Sequence, residues 1–174
     1  MAAALELHLS GGANNTDPDA SLGGARSTVV GGVVPAEATL NSLFDDVSGA
    51  EEQAGDVEYR GVYLYNAGDA DAENVTLWLT DTVAAGTTIA IALADEGLDQ
   101  VMETIANEDT APSGPSFSTP TTEGGGLSVG TIGPGEMYGV WLRRTVTADA
   151  GASFDEFTLH ASFDTGPGGS GSGA

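Results

Sequence analysis

Short segments in which apolar and polar residues alternate recur along the chain, and this alternation is typical of β-strands that bury one face. Residues 57–65 carry apolar side chains on both faces, which predicts a central strand. Residues 157–163 alternate most regularly, with Phe157, Leu159 and Phe163 on the same side. Further strands are predicted at residues 5–9, 27–30, 75–80, 87–93, 127–132 and 137–146.

Long segments without this periodicity separate the predicted strands. Residues 10–24 are rich in Gly and Asn, and three prolines exclude a helix from much of residues 109–123. We expect both segments to become ordered only when they contact neighbouring subunits, because they have no core of their own. Residues 41–47 predict one helical turn, and residues 95–106 predict either a short helix or an extended contact arm.

These patterns predict a single all-β domain. Short strands with turn signals between them are typical of a β-sandwich, either Ig-like or a jelly roll, here with long irregular N-terminal and Pro-rich loops. We assign residues 1–165 to this domain. Residues 166–174, which are almost entirely Gly, Ser and Pro, are assigned to a flexible tail.

Composition limits the partners that this domain can bind. The 174 residues include 26 carboxylates, four arginines and no lysine, for a formal net charge of −22. Phosphate groups and anionic lipids are bound through Lys and Arg, so we predict no nucleic-acid partner and no membrane partner. Two origins of the acidity stay open: a saline environment in which salt screens the repulsion, or a GC-rich genome that favours Ala, Gly and Asp codons.

The sequence also limits where the protein resides. No apolar run is long enough to predict a membrane span, and the first residues lack the basic region of a secretory signal. The absence of cysteine excludes disulfides and thiolate metal sites. We therefore expect a protein that is made in the cytosol and reaches the outside of a larger particle by assembly.

Candidate chemistry is sparse. Asp69, Asp71 and Glu73 alternate in one predicted turn, and oxygen ligands at this spacing are a candidate Ca²⁺ site, although the EF-hand pattern is not met. His8 and His160 lack a neighbouring nucleophile or metal-ligand motif, so we assign both to structural or surface roles. We predict no catalytic residues, no enzymatic activity and no required cofactor.

The few arginines mark a candidate interface. Arg143 and Arg144 are adjacent in a predicted strand, so one side chain should reach a carboxylate of its own domain and the other a neighbouring subunit. Arg60 and Trp141 are assigned to the same interface, because Arg and aromatic residues are enriched at subunit contacts. Salt bridges within the domain are the alternative for the arginines.

Several segments form an ordered set along the chain. They are LSGGANNTDPDASLGG (9–24), LFDDVSGA (43–50), AGDVEYR (54–60), ETIANE (103–108) with Ala111 and Pro112 after it, and VWLRRTV (140–146). Together these segments resemble small structural proteins of tailed phages, over most of the chain. The resemblance implies a virion protein with a β-sandwich core. The turn at residues 66–75 also resembles the strand-turn-strand unit of Ig-like adhesion modules.

The resemblance leaves two positions open in a tailed-virus particle. In the first hypothesis the protein lies on the outer capsid surface as a decoration, or cement, protein. It would bridge major capsid subunits and bind copies of itself as a homotrimer. In the alternative it is a neck, tail or baseplate module that could bind a host glycan. An exposed aromatic cluster, or a cation bound at residues 69–73, would favour the alternative.

Overall fold

The computed structural model describes residues 2–35, 42–81, 86–149 and 156–166. Within these ranges the chain forms nine strands and one α-helix, with three short 3₁₀ turns between them. The strands are β1 (Leu5–Leu9), β2 (Gly23–Gly24), β3 (Asp56–Asn66), β4 (Ala72–Asp81), β5 (Thr87–Leu98), β6 (Met102–Thr104), β7 (Leu127–Ile132), β8 (Met137–Val146) and β9 (Phe157–Thr165). The helix, α1, covers Gly49–Ala54.

Antiparallel pairing builds two sheets. The larger sheet has the strand order β1-β3-β8-β5 and the smaller one the order β7-β4-β9. Strands β2 and β6 form a separate two-stranded ribbon. The prediction of an all-β, sandwich-like fold is confirmed, and β3 lies between two strands as its two apolar faces predicted.

The main core lies between the two sheets and takes alternate residues from each strand. The larger sheet contributes Val62, Leu64, Ile89, Ile91, Val140 and Leu142, and the smaller sheet contributes Val75, Leu77, Leu79 and Ile132. Strand β9 adds Phe157, Leu159 and Phe163 on the side that the sequence predicted. Fully burying such side chains contributes about 1.5–3 kcal/mol each, so this core is the main source of stability.

The opposite face of the larger sheet is also buried. Tyr59, Tyr63 and Trp141 point away from the main core and pack with Met102 and Ile105 in a second apolar cluster. The Tyr63 hydroxyl donates to the Gly24 carbonyl oxygen (2.6 Å) and accepts from the Met102 amide (2.7 Å). Burial raises the pKa of Tyr63 above its ordinary value, so the hydroxyl keeps the proton that it donates.

Both irregular segments cover this second face in the single chain. The Gly61 amide donates to the Ser21 carbonyl (2.7 Å), and the Tyr59 amide donates to the Glu108 carbonyl (2.8 Å). Ser118, in the Pro-rich segment, exchanges two backbone hydrogen bonds with Ile91 of β5. The expectation that these segments become ordered only against neighbouring subunits is therefore wrong, because their own sheet offers an apolar face and free backbone partners.

Two local predictions are wrong. Residues 27–30 form no strand, and a 3₁₀ turn covers Val30–Gly32 instead. Residues 42–47 are not helical, and Asn41 lies outside the described residues. The helix begins after Ser48, whose side chain accepts from the Glu51 amide while the Glu51 carboxylate accepts from the Ser48 amide.

The remaining predictions have mixed outcomes. The stretch at residues 95–106 is extended, as one of its two alternatives predicted, because β5 continues to Leu98 and β6 follows after a short turn. The flexible tail predicted at residues 166–174 lies outside the described residues except for Gly166, which is buried.

Two glycines of the N-terminal segment test whether this segment is packed. Gly23 and Gly12 both have positive φ, so alanine at either site should cost about 1–2 kcal/mol in backbone strain. A Cβ at Gly23 would also collide with the Glu103 carbonyl oxygen, whereas a Cβ at Gly12 meets nothing within 4 Å. We expect Gly23→Ala to lower the free energy of unfolding by at least about 3 kcal/mol and Gly12→Ala by about 1–2 kcal/mol, measured by urea denaturation. Equal losses of unfolding free energy in the two variants would show that Gly23 is not packed against Glu103.

Candidate functional site

Five charged residues converge at one end of the larger sheet. Glu58 of β3 lies directly opposite Arg144 of β8, and Arg60 follows two residues later on the same face. These side chains continue the row that buries Val62 and Leu64 in the main core. Asp45 and Glu108 approach the row from two loops, and we call Asp45, Glu58, Arg60, Glu108 and Arg144 the ion network.

Arg144 ties the sheet to the segment before α1. Its Nε and Nη2 both pair with Glu58 Oε2. Its Nη1 donates to the Asp45 carbonyl oxygen (2.6 Å), and Nη2 lies 3.3 Å from Asp45 Oδ1. The guanidinium carbon of Arg144 also lies 5.0 Å from the centre of the Phe44 ring, which is buried. Arg144 thereby fixes residues 44 and 45 against the end of the sandwich.

Arg60 ties the same sheet to the N-terminal segment and to Glu108, the residue directly before the Pro-rich segment. Its Nη2 donates to Glu108 Oε2 (2.5 Å) and lies 3.4 Å from Asp19 Oδ1. The Arg60 side chain is fully buried (0% exposed), whereas the side chains of Glu108 and Asp19 are 38% and 60% exposed, so these charge-assisted hydrogen bonds lie at the boundary with solvent. The N-terminal segment is therefore held by this arginine as well as by the second apolar cluster.

The network contains more negative than positive groups. Its two guanidinium groups face the three carboxyl groups of Asp45, Glu58 and Glu108, and Arg60 also faces Asp19 outside the network. Burial raises the pKa of Glu58 from 4.5 to about 7, although Arg144 and Arg60 oppose the shift. Glu58 therefore takes up a proton in the neutral to mildly acidic range.

A cation could in principle occupy such an acidic group. The carboxylate oxygens of Asp45, Glu58 and Glu108 lie within 4.8 Å of one another, and they form the one group of three acidic ligands in the described part of the chain. The two guanidinium groups already bind these oxygens, so a cation would have to compete with Arg60 and Arg144 for them. The predicted Ca²⁺ ligands Asp69, Asp71 and Glu73 are not brought together in this way, and Asp69 accepts from the Ala2 amide instead.

The predicted interface residues lie mostly inside the domain. Arg60 and Trp141 are fully buried, and Arg144 is buried in the ion network, so none of the three can contact a neighbouring subunit. Their assignment to an interface is wrong, and the alternative of salt bridges within the domain holds for both arginines. Arg143 points to the opposite face from Arg144, as predicted, and its guanidinium lies over the Phe117 ring at 5.0 Å.

The two histidines have different surroundings. His8 is buried, and its ring contacts the Ser27 carbonyl oxygen, the Glu6 carboxylate and the edge of Tyr65. His160 lies on the outer face of the smaller sheet and stacks on Trp78 with ring centres 5.1 Å apart. The assignment of both residues to structural or surface positions agrees with these contacts.

Sequence reasoning did not find three members of the ion network. Glu58 could have been found from the sequence. It lies two residues before Arg60 in a strand predicted to be central, and a charge buried there needs a partner of opposite sign. Asp45 and Glu108 had no comparable signal among 26 carboxylates. Their positions depend on loops that reach β8 and β3 only in the folded chain.

Comparisons of the chain with protein-family models, with curated proteins and with solved structures found no match. The resemblance to phage structural proteins therefore stays a prediction from sequence. In the described residues, no helix is long and apolar enough to span a membrane.

Replacing Glu58 with glutamine tests the raised pKa. The folded-state pKa of about 7 exceeds the ordinary value of 4.5, so the folded protein binds this proton more tightly than the unfolded chain does. The resulting contribution to stability is complete below about pH 4.5 and is lost as the pH rises through about 7. One pKa unit corresponds to about 1.4 kcal/mol. Between about pH 4.5 and 8, the free energy of unfolding of the parent chain should therefore fall by up to about 3 kcal/mol relative to that of Glu58→Gln.

The measurement is urea denaturation of both chains at a series of pH values from about 4.5 to 8. Glu123→Gln is the matched control, because Glu123 is exposed and the substitution removes the same charge. The difference between the Glu123→Gln variant and the parent should change little with pH. Parallel stability curves for the parent and Glu58→Gln would show that Glu58 titrates normally.

Proposed function

We propose that this chain is a non-catalytic structural component of a tailed-virus particle, placed on the outer capsid surface as a decoration protein that bridges major capsid subunits. The observation that carries the proposal is the distribution of charge. All four arginines are engaged in contacts within the chain, and there is no lysine. The outside of the protein is therefore left to its carboxylates.

Arg26 and Arg143 are the two arginines outside the ion network. Arg26 lies over the Tyr65 ring at 3.8 Å and donates to the Ser27 carbonyl oxygen, and Arg143 lies over Phe117. Both side chains stay partly exposed, but two arginines among 26 carboxylates are too few to form a cationic patch. A surface of this kind repels nucleic acid and favours solubility, which suits the outside of a particle better than its DNA-filled interior.

The folding of the irregular segments changes how such a protein would attach. A block whose loops are already packed loses little conformational entropy when it binds, so more of the contact energy is left for affinity. Each bridging contact would need to bury roughly 1,000 Å² or more in total. Val30 is 91% exposed at the tip of a 3₁₀ turn and is the most exposed large apolar side chain in the described residues. It is a natural anchor for a neighbouring subunit, whether the major capsid protein or another copy in a homotrimer.

One observation favours the alternative of a neck, tail or baseplate module. The stacked pair of Trp78 and His160 lies on an outer sheet face rather than in either core. An aromatic pair in this position could contact a host glycan. The two positions in the particle differ in copy number, so they can be separated by experiment.

Quantitative mass spectrometry of purified particles tests the proposal. We expect on the order of hundreds of copies per particle for a decoration protein, in a fixed ratio to the major capsid protein, because each bridge buries a specific interface. A few to dozens of copies would indicate a neck or tail position. Absence of the chain from particles would reject both positions.

A pair of variants tests the proposed anchor. Val30→Asp places a charge on the exposed apolar tip and should reduce incorporation into particles about tenfold or more, because a buried charge replaces a buried methyl contact. Ala25→Asp is the matched control, since it adds the same charge at another exposed position five residues before Val30. Equal incorporation of both variants would exclude Val30 from the contact.

A further inference from the structure

The outer face of the smaller sheet is built from polar and aromatic residues. Because Val75, Leu77 and Leu79 of β4 point into the core, the residues between them point outwards. Antiparallel register places Ser128 of β7 and three residues of β9 beside them. The central part of this face, which we call the outer platform, consists of Thr76, Trp78, Thr80, Ser128, Thr158, His160 and Ser162.

Trp78 and His160 form the centre of the outer platform. They are direct cross-strand neighbours, and their rings stack with an angle of 9° between the planes. The Thr80 hydroxyl lies 2.7 Å from His160 Nε2 and fixes the orientation of the imidazole. Neither ring is buried, so a partly accessible aromatic surface is held in place before any ligand arrives.

The outer platform carries no carboxylate, although the chain has 26 of them. Asp164 lies beyond its edge and accepts a hydrogen bond from the Asn74 side chain. Five hydroxyl groups surround the two rings, and each can both donate and accept hydrogen bonds. The surface is therefore uncharged and rich in hydroxyls within a strongly anionic protein.

The geometry points to a binding site for a neutral carbohydrate on this face. A sugar ring presents C–H groups on one side, which suit the negative face of an aromatic ring, and hydroxyls around its rim, which suit Ser, Thr and His. A neutral ligand meets no opposing charge on the outer platform, whereas an acidic one would be repelled by the rest of the protein. This inference depends on the sheet face alone and not on the position of the protein in a particle.

A protein partner fits the outer platform less well. Large apolar anchors dominate protein interfaces, and Trp78 is the one large apolar side chain that the platform offers. The most exposed large apolar residues, Val30 and Val101, lie on loops outside this sheet. A nucleic acid would require cations, and the platform contains no arginine.

Fluorescence quenching can isolate this site because the chain has two tryptophans in different surroundings. Trp141 is fully buried and Trp78 is not, so acrylamide, a neutral quencher, should act mainly on Trp78. The probes are maltohexaose, cellohexaose and mannohexaose, with hexagalacturonate as the acidic counterpart. We expect at least one neutral probe to reduce the quenching of Trp78 by about half at saturation, and hexagalacturonate to have no effect.

Variants then assign the binding to the outer platform. By calorimetry or NMR titration, Trp78→Ala should weaken binding of that neutral probe about tenfold or more, while Trp78→Phe should retain part of the affinity. His160→Ala should weaken it by a smaller factor. Val101→Ala, which removes an exposed apolar side chain elsewhere, should bind like the parent chain.

Several results would overturn the proposal. One is that none of the three neutral probes reduces the quenching of Trp78. Another is that Trp78→Ala binds the neutral probe with unchanged affinity. If acrylamide fails to quench Trp78 even without sugar, and the chain sediments as a dimer, the outer platform is a contact between copies of the chain. Copy number in particles is a separate measurement, so failure here would leave the proposed structural role unaffected.

Discussion

Burial of both faces of the larger sheet is the constraint on which the rest of this structure depends. Strands β3 and β8 carry apolar side chains on both sides, and the smaller sheet can cover only one of them. The irregular segments cover the other and donate or accept hydrogen bonds at the backbone of the sheet. Glycine is needed where such a segment lies close to another strand. At Gly23, a Cβ would collide with the Glu103 carbonyl oxygen of β6.

The same sheet also internalises the positive charge of the protein. Arg60 and Arg144 lie in the row of residues that builds the main core, and they bind the carboxylates of Glu108 and Asp45, which belong to loops. Buried charges of this kind must be paired, because removing one partner leaves an uncompensated charge. The arrangement stabilises the loops against the sheet, and it leaves an exterior whose repulsion is weakened only by salt, over roughly 3 Å at 1 M.

Against this anionic exterior, the outer platform is the exception. Its centre has hydroxyls and two stacked rings where a random surface of this composition would carry acids. The decoration role and a carbohydrate site are compatible, because the first depends on attachment through loop tips and the second on a sheet face. Together they describe a rigid, acidic block that can be fixed to a particle by one surface and present another to its surroundings.

The sequence by itself determined the strands and the overall charge. Alternation located β3, β4, β8 and β9, and it identified β3 as central because both faces of that strand are apolar. Only the tertiary structure decided which carboxylates meet the arginines, since Asp45 and Arg144 are 99 residues apart and share no local pattern. It also decided the state of the irregular segments. Their sequence has no core of its own, and the apolar face that orders them belongs to strands elsewhere in the chain.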